Sequence, residues 1–312
     1  YLDKDNYKFE IIDTPKLSNI FLLPLNILVI FFLTLKSFFL LKKKKIKKIF
    51  STGGYMSLPL ILAAKMIRLN IYLIEPNQVL GRANRFFLKS SKKIFCYSKD
   101  IKNFPKKYIN KMVVIKPLVK EKIYNLQSQP KIIGKFTILI VGGSQGAKVF
   151  DYNLKNIIIN ISKQLPIKII HQKKKKNISD LIDFYKSNNI DNEIFSFTQN
   201  FNELLHEADI CITRSGASTL AELSVLNIPF ITVPLPTSKD NHQFENANFY
   251  QNKDCCWIVE EKNFEERIQK ILENIAHKKS DYLSKKENLK KLNYQNTWNN
   301  VNQKILKTIN EN

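Results

Sequence analysis

The sequence predicts an α/β protein of two parallel-sheet domains, and three observations carry that prediction. Its 312 residues exceed the usual size of one domain, so two of comparable length are expected. Short apolar runs rich in β-branched residues alternate with segments of helical period, the pattern of doubly wound sheets. Two of those runs, 138–141 and 208–213, each lead into a turn of small residues and then a helix. With 44% hydrophobic residues there is material for two cores.

Taken in order, the chain opens at Tyr1 without a methionine, and the alternating stretch 6–12 reads as a strand. This looks like a start in mid-domain. Residues 20–41 are dense in Leu, Ile and Phe and run into Lys42-Lys43-Lys44-Lys45-Ile46-Lys47-Lys48. Pro24, Asn26 and Lys36 interrupt that run, leaving 27–35 uninterrupted, well short of the ~20 residues a bilayer span needs. Its position and flanks do not fit a signal peptide. The expectation over 20–48 is an interfacial patch, apolar surface in the headgroup region and lysines on anionic lipid at about 1 kcal/mol each. A helix buried all round and a spanning helix are the alternatives.

From Ile46 the alternation is regular: a strand into Ser51-Thr52-Gly53-Gly54-Tyr55, a helix over 58–67, and strands at 71–74, 94–97 and 112–115. Gly53, Gly54, Asn77 and Gly81 fall at strand C-termini, where such sheets bind ligands. The polar stretch 120–135, with Ser128-Gln129-Pro130, sets the expected boundary, giving domains 1–127 and 128–293. Residues 294–309 have helical period, and 294–312 is expected to return to the first domain.

The run Arg214-Ser215-Gly216-Ala217-Ser218-Thr219-Leu220-Ala221-Glu222 carries the chemistry. A helix starting just after Gly216 offers free N–H groups to a diphosphate, with the helix dipole favouring negative charge. Glu222, one to two turns further on, can accept two hydrogen bonds from ribose hydroxyls. An ordinary capped helix with a solvated glutamate is the plain alternative. A second turn, Gly142-Gly143-Ser144-Gln145-Gly146-Ala147, follows the other strand. Its glycines allow close approach, while Ser144 and Gln145 offer a hydroxyl and an amide. Neither turn has dinucleotide or P-loop spacing, which disfavours a dehydrogenase.

The formal charge of +23 asks for an anionic partner or surface. The basic runs 42–48 and 173–176 lack interleaved aromatic residues, which favours anionic lipid over nucleic acid. Cys96, Cys211, Cys255 and Cys256 show no C-x-x-C spacing and read as cytosolic thiols. His171, His206, His242 and His277 are scattered, so no structural metal is expected.

Together with Glu75-Pro76-Asn77 and Asp240-Asn241-His242-Gln243-Phe244-Glu245-Asn246-Ala247, these motifs, in this order, resemble the MurG family. That resemblance implies a glycosyltransferase B fold, two Rossmann-like domains facing a cleft. It implies inverting transfer of N-acetylglucosamine from UDP-N-acetylglucosamine to undecaprenyl-diphospho-N-acetylmuramoyl-pentapeptide (lipid I), at the cytoplasmic face of the bacterial inner membrane. No cofactor is implied beyond the donor substrate. By motif position Ser144 and Gln145 meet the donor, Ala217, Ser218 and Thr219 its phosphates, and Glu222 the ribose. Gln243 meets the sugar with His242 or Asp240 nearby, Asn77 faces it across the cleft, and Thr198 reads uracil through backbone atoms. Gly53, Gly54 and Tyr55 lie on the acceptor side.

Three departures accompany the resemblance. The family's opening Gly-rich loop, whose histidine is the candidate base, has no counterpart here, so the catalytic residue is unassigned and the chain reads as a fragment or as beginning upstream. Ile74 and Pro76 replace a histidine and a glutamine beside Glu75. Lys116-Pro117-Leu118-Val119-Lys120 stands for an Asn-Pro-Val-Arg junction, and Lys120 supplies charge without the arginine fork. Another lipid-linked transferase of the same fold, or a non-catalytic UDP-sugar-binding subunit on the membrane, remains open.

Overall fold

The computed structural model describes residues 9–15, 21–129, 134–143, 148–174 and 178–311. It divides into two units, Tyr1–Ile115 with Ile305–Asn312, and Lys116–Lys304. The first contains α1 (Leu23–Lys43), β1 (Lys48–Ser51), α2 (Leu58–Met66), β2 (Asn70–Glu75), α3 (Arg82–Phe87), β3 (Lys93–Cys96) and β4 (Met112–Val114). The strands pair in parallel in the order β1-β2-β3-β4. Ile71, Leu73 and Ile94 meet Ile61, Ala63, Ala64 and Phe87 in one core. Strands covered in this way read as near-continuous apolar runs, which is why they are legible without alternation. Residues 9–12, part of the expected strand at 6–12, are irregular. Phe9 and Ile11 are exposed there, so the alternation has no buried face to serve.

Helix α1 corrects the expected interruption, for it runs unbroken over 21 residues. Pro24 occupies its first turn, where a missing N–H removes no helical bond. By length and composition it is apolar enough to cross a membrane. Nor is it buried all round. Asn26, Ile30, Thr34, Ser37 and Leu41 form the buried stripe, spaced to share one helix face, and α1 packs on α2. Thr34 Oγ1 and Ser37 Oγ donate to Ile30 O and Leu33 O at 2.7 Å each, so the polar groups on that stripe are satisfied. Leu25, Ile27, Leu28, Phe31, Phe32 and Phe39 are each more than half exposed. The inward face is thus more polar than the outward one.

The second unit contains α4 (Glu121–Gln127), β5 (Phe136–Val141), α5 (Lys148–Asn153), α6 (Lys155–Ser162), β6 (Ile167–Gln172), α7 (Ile178–Ser187), β7 (Asp191–Phe195), α8 (Phe201–Glu207), β8 (Ile210–Thr213) and α9 (Ala217–Val225). It continues through β9 (Phe230–Thr232), α10 (His242–Gln251), β10 (Cys256–Ile258), α11 (Phe264–His277), α12 (Ser280–Leu292) and α13 (Trp298–Asn310). All six strands are parallel, ordered β10-β9-β8-β5-β6-β7. From β5 the chain builds outward on one side through β6 and β7, then crosses to β8 and builds the other way. The β5–β8 junction is therefore the topological switch point, where sheets of this kind bind ligands at strand carboxyl ends.

The division between units falls ahead of α4, whereas sequence polarity had set a boundary after it. Ile123 and Tyr124 on α4 are buried, the helix packs on α8 and α9, and Tyr124 Oη donates to Pro117 O at 2.6 Å. At the other end, residues 294–297 form a turn with Gln295 in the left-handed region, so the last helix starts at Trp298. From Ile305 onward it belongs to the first unit, where Ile309 O accepts from Lys48 Nζ at 2.6 Å and Tyr72 Oη at 3.1 Å. A cation there complements the negative end of the helix.

Candidate functional site

The carboxyl end of β8 leads through Arg214 and Ser215 to Gly216, the extended N-cap of α9. The first N–H to bond inside the helix is that of Leu220, to Gly216 O at 3.0 Å, and no side chain caps the start. The N–H groups of Ala217, Ser218 and Thr219 therefore precede the ladder as donors at the positive end of the helix. Glu222 follows on the same helix, half-buried. Burial raises its carboxyl pKa, and the Lys120 ammonium pulls it back down. Lys120 is the N-cap of α4, so the packing of α4 on α9 explains its influence. Among the described residues, none donates a hydrogen bond to the Glu222 carboxylate.

Other residues of this motif serve as braces. Ser215 is fully buried: its N–H donates to Gln243 Oε1 at 3.3 Å, its hydroxyl meets Thr232 Oγ1 at 2.6 Å, and its carbonyl accepts from Asn246 Nδ2 at 3.1 Å. Arg214 donates to Val233 O at 3.1 Å, pairs with Glu261 at 2.5 Å and stands 5.3 Å over the Phe150 ring. Leu220 and Ala221 are buried. The side chains of these four residues are thus engaged within the protein. What the motif leaves outward is Gly216 to Thr219 and Glu222.

Gln243 Oε1 also accepts from Leu235 N at 3.0 Å. Two backbone donors on the oxygen leave the amide Nε2 as the end able to donate onward. His242 Nδ1 donates to Lys239 O at 2.7 Å, since a carbonyl oxygen can only accept. Asp240 and Asn241 both adopt left-handed backbone, φ 52° and 54°, in the tight turn before α10. At the neighbouring strand end, β5 passes into Gly142 and Gly143, the latter at φ 75°, a conformation open to glycine without strain. Ser144, Gln145, Gly146 and Ala147 lie outside the described residues. Thr198 Oγ1 accepts from Asn200 N at 3.1 Å, which leaves its backbone for any contact with a base.

In the first unit, a carboxylate that sequence reading passed over organises the end of β2. Glu75 is buried. Its Oε1 accepts from the backbone and side-chain nitrogens of Asn77 at 3.1 and 3.0 Å, and its Oε2 from Gly81 N at 2.8 Å and Asn84 Nδ2 at 2.9 Å. Asn77 is thus tied down by Glu75. Gly53 has φ 76°, and a Cβ there would lie 2.5 Å from Asn84 Oδ1, so only glycine fits. Gly54, at φ 83°, precedes Tyr55, which opens a short 3-10 turn. A lone carboxylate closing an apolar strand ahead of Gly81 and Asn84 is the signal that would have revealed this cluster. Among the described residues, no group of His, Cys, Asp and Glu is arranged to hold a metal.

Comparison with known proteins follows the same division. The C-terminal domain model of glycosyltransferase family 28 matches residues 137–300 and its N-terminal domain model residues 1–96. A Pelagibacter ubique UDP-N-acetylglucosamine--N-acetylmuramyl-(pentapeptide) pyrophosphoryl-undecaprenol N-acetylglucosamine transferase is 45% identical, over 100% of this chain and 88% of that protein. A Rickettsia canadensis protein of the same description is 38% identical, over 87% of this chain and 78% of its own length. Among solved structures, Acinetobacter baumannii MurG superposes with a TM-score of 0.73 at 22% identity, over 99% of this chain and 86% of that one. A Neisseria meningitidis UDP-GlcNAc 2-epimerase bound to UDP-GlcNAc gives 0.65 at 16% identity, over 91% and 81%. Structural likeness at that level shows the fold alone, since two chemistries share it.

Proposed function

This chain belongs to glycosyltransferase family 28, in the MurG family, and from that premise we infer that it transfers N-acetylglucosamine from UDP-N-acetylglucosamine to lipid I in peptidoglycan synthesis. The observation that carries the reading is the start of α9: three N–H donors and a carboxylate without a hydrogen-bond donor among the described residues, at the switch point of a six-stranded parallel sheet. Diphosphate oxygens meet the N–H groups of Ala217, Ser218 and Thr219. Glu222 accepts from the ribose hydroxyls, and Gln243 Nε2 donates to the sugar. As the anomeric bond breaks, negative charge grows on the departing diphosphate, where fixed donors stabilise it more than they stabilise the ground state. The acceptor's 4-hydroxyl attacks from the opposite face, inverting the anomeric centre, and no divalent ion is required.

On the acceptor unit, Gly53 and Gly54 let the lipid diphosphate approach the backbone at the end of β1. Helix α1 lies in the plane of the membrane, its exposed Leu, Ile and Phe side chains in the headgroup boundary and Lys42 to Lys45 on anionic lipid. The inverted polarity of α1 supports this placement on a membrane surface. Replacing Lys42, Lys43, Lys44 and Lys45 by glutamine is expected to weaken binding to anionic vesicles at least a hundredfold, at about 1 kcal/mol per lysine, with turnover of a soluble acceptor retained. Equal vesicle binding contradicts it. The transfer itself is tested with radiolabelled UDP-N-acetylglucosamine and a lipid I analogue: label in the lipid product supports the reading, while donor binding without transfer favours a UDP-sugar-binding subunit.

A further inference from the structure

Beneath α5 lies a buried polar group to which the reaction assigns no role. His171, on β6, is 1% exposed and pairs with Ile140 across the β5–β6 ladder, two positions before Gly142. Its Nδ1 lies 3.2 Å from Tyr185 Oη on α7. Its Nε2 lies 3.3 Å from Asp151 Oδ1 on α5, a charge contact whose geometry falls short of a hydrogen bond. Burial and the nearby Asp151 push the Tyr185 phenol well above its ordinary pKa, so that hydroxyl keeps its proton and donates to Nδ1. The neutral imidazole then carries its own proton on Nε2, facing the Asp151 carboxylate.

A buried donor left without a partner is costly, and a small movement of α5 would align this one with Asp151. The same helix carries Phe150, stacked on Phe264 at 5.8 Å and covered by the Arg214 guanidinium. Arg214 precedes the α9 start, so α5 is braced both from β6 and from the phosphate-directed end of β8.

We propose that His171 is a positioning residue for the donor: through Asp151 it sets α5, and through Phe150 beneath Arg214 the end of β8 that receives the UDP diphosphate. The proposal rests on the reading of the β5 and β8 strand ends as the donor site. Asp151→Ala and His171→Leu are each expected to raise the KM for UDP-N-acetylglucosamine about tenfold, with kcat and the acceptor KM within about twofold. The double variant should be no worse than either alone, since both remove one contact. His171→Gln, which keeps a donor, should recover most of the loss. Asp151 retains some exposure, its side chain 18% accessible against 1% for His171, so Asp151→Ala keeps the test valid if the core substitution at His171 impairs folding. A folded Asp151→Ala with unchanged donor KM, or a double variant whose effects multiply, overturns the proposal. Glu222→Ala serves as the control: if it weakens UDP binding in calorimetry and Asp151→Ala does not, the positioning role fails alone. If neither does, the donor-site reading fails with it.

Discussion

Two glutamates, each at or near the carboxyl end of a parallel strand, are used in opposite ways. Glu75, closing β2, is buried and accepts four hydrogen bonds from Asn77, Gly81 and Asn84. Glu222, on the helix after β8, is half-buried, and its carboxylate takes none from any described residue, with the Lys120 charge in support. A carboxylate whose lone pairs are filled from within is architecture. One held partly out of water with its lone pairs unfilled is destabilised until something else supplies donors, which is the condition of a binding group.

The sharpest way to break this contrast is to delete each carboxylate in turn. Glu75→Ala strands several buried donors and is expected to cost about 3 kcal/mol of stability, read as a lowered midpoint in urea, with UDP affinity of the folded protein little changed. Glu222→Ala should do the reverse: stability near wild type, and UDP affinity reduced by about 2 kcal/mol, roughly thirtyfold, as befits hydrogen bonds to a charged acceptor. If the two variants exchange these phenotypes, the contrast is wrong.

A smaller effect sharpens it. Burial raises the folded-state pKa of Glu222, so its ionised form is disfavoured by folding. That cost is present above the raised pKa and is relieved as pH falls through it. Glu222→Gln should therefore stabilise the protein modestly at neutral pH, with the gain fading on acidification. UDP affinity in the wild type should begin to fall at a pH above the ordinary glutamate range. Lys120→Gln should move that onset higher still, and calorimetric titrations across mildly acidic pH follow both shifts.

The parallel strands and the helix beginning after Gly216 are legible because each depends on local pattern: apolar runs, glycine placement, helix period. What escaped was the allocation of hydrogen bonds. Nothing in Arg214-Ser215-Gly216 says that Thr232, Gln243, Asn246 and Glu261, all distant in sequence, consume the groups of the first two. Helix α1 was misread for a related reason. Pro24 and Asn26 look like interruptions until the first turn tolerates one and the buried stripe takes the other. The boundary after residue 127 followed polarity, whereas Ile123 and Tyr124 bind α4 to the second unit through burial.

The central claim is tested most directly by a crystal structure with UDP-N-acetylglucosamine bound. The account predicts diphosphate oxygens within about 3 Å of the N–H groups of Ala217, Ser218 and Thr219, with both ribose hydroxyls on Glu222. A nucleotide seated away from the start of α9, with Glu222 left in water, would contradict it.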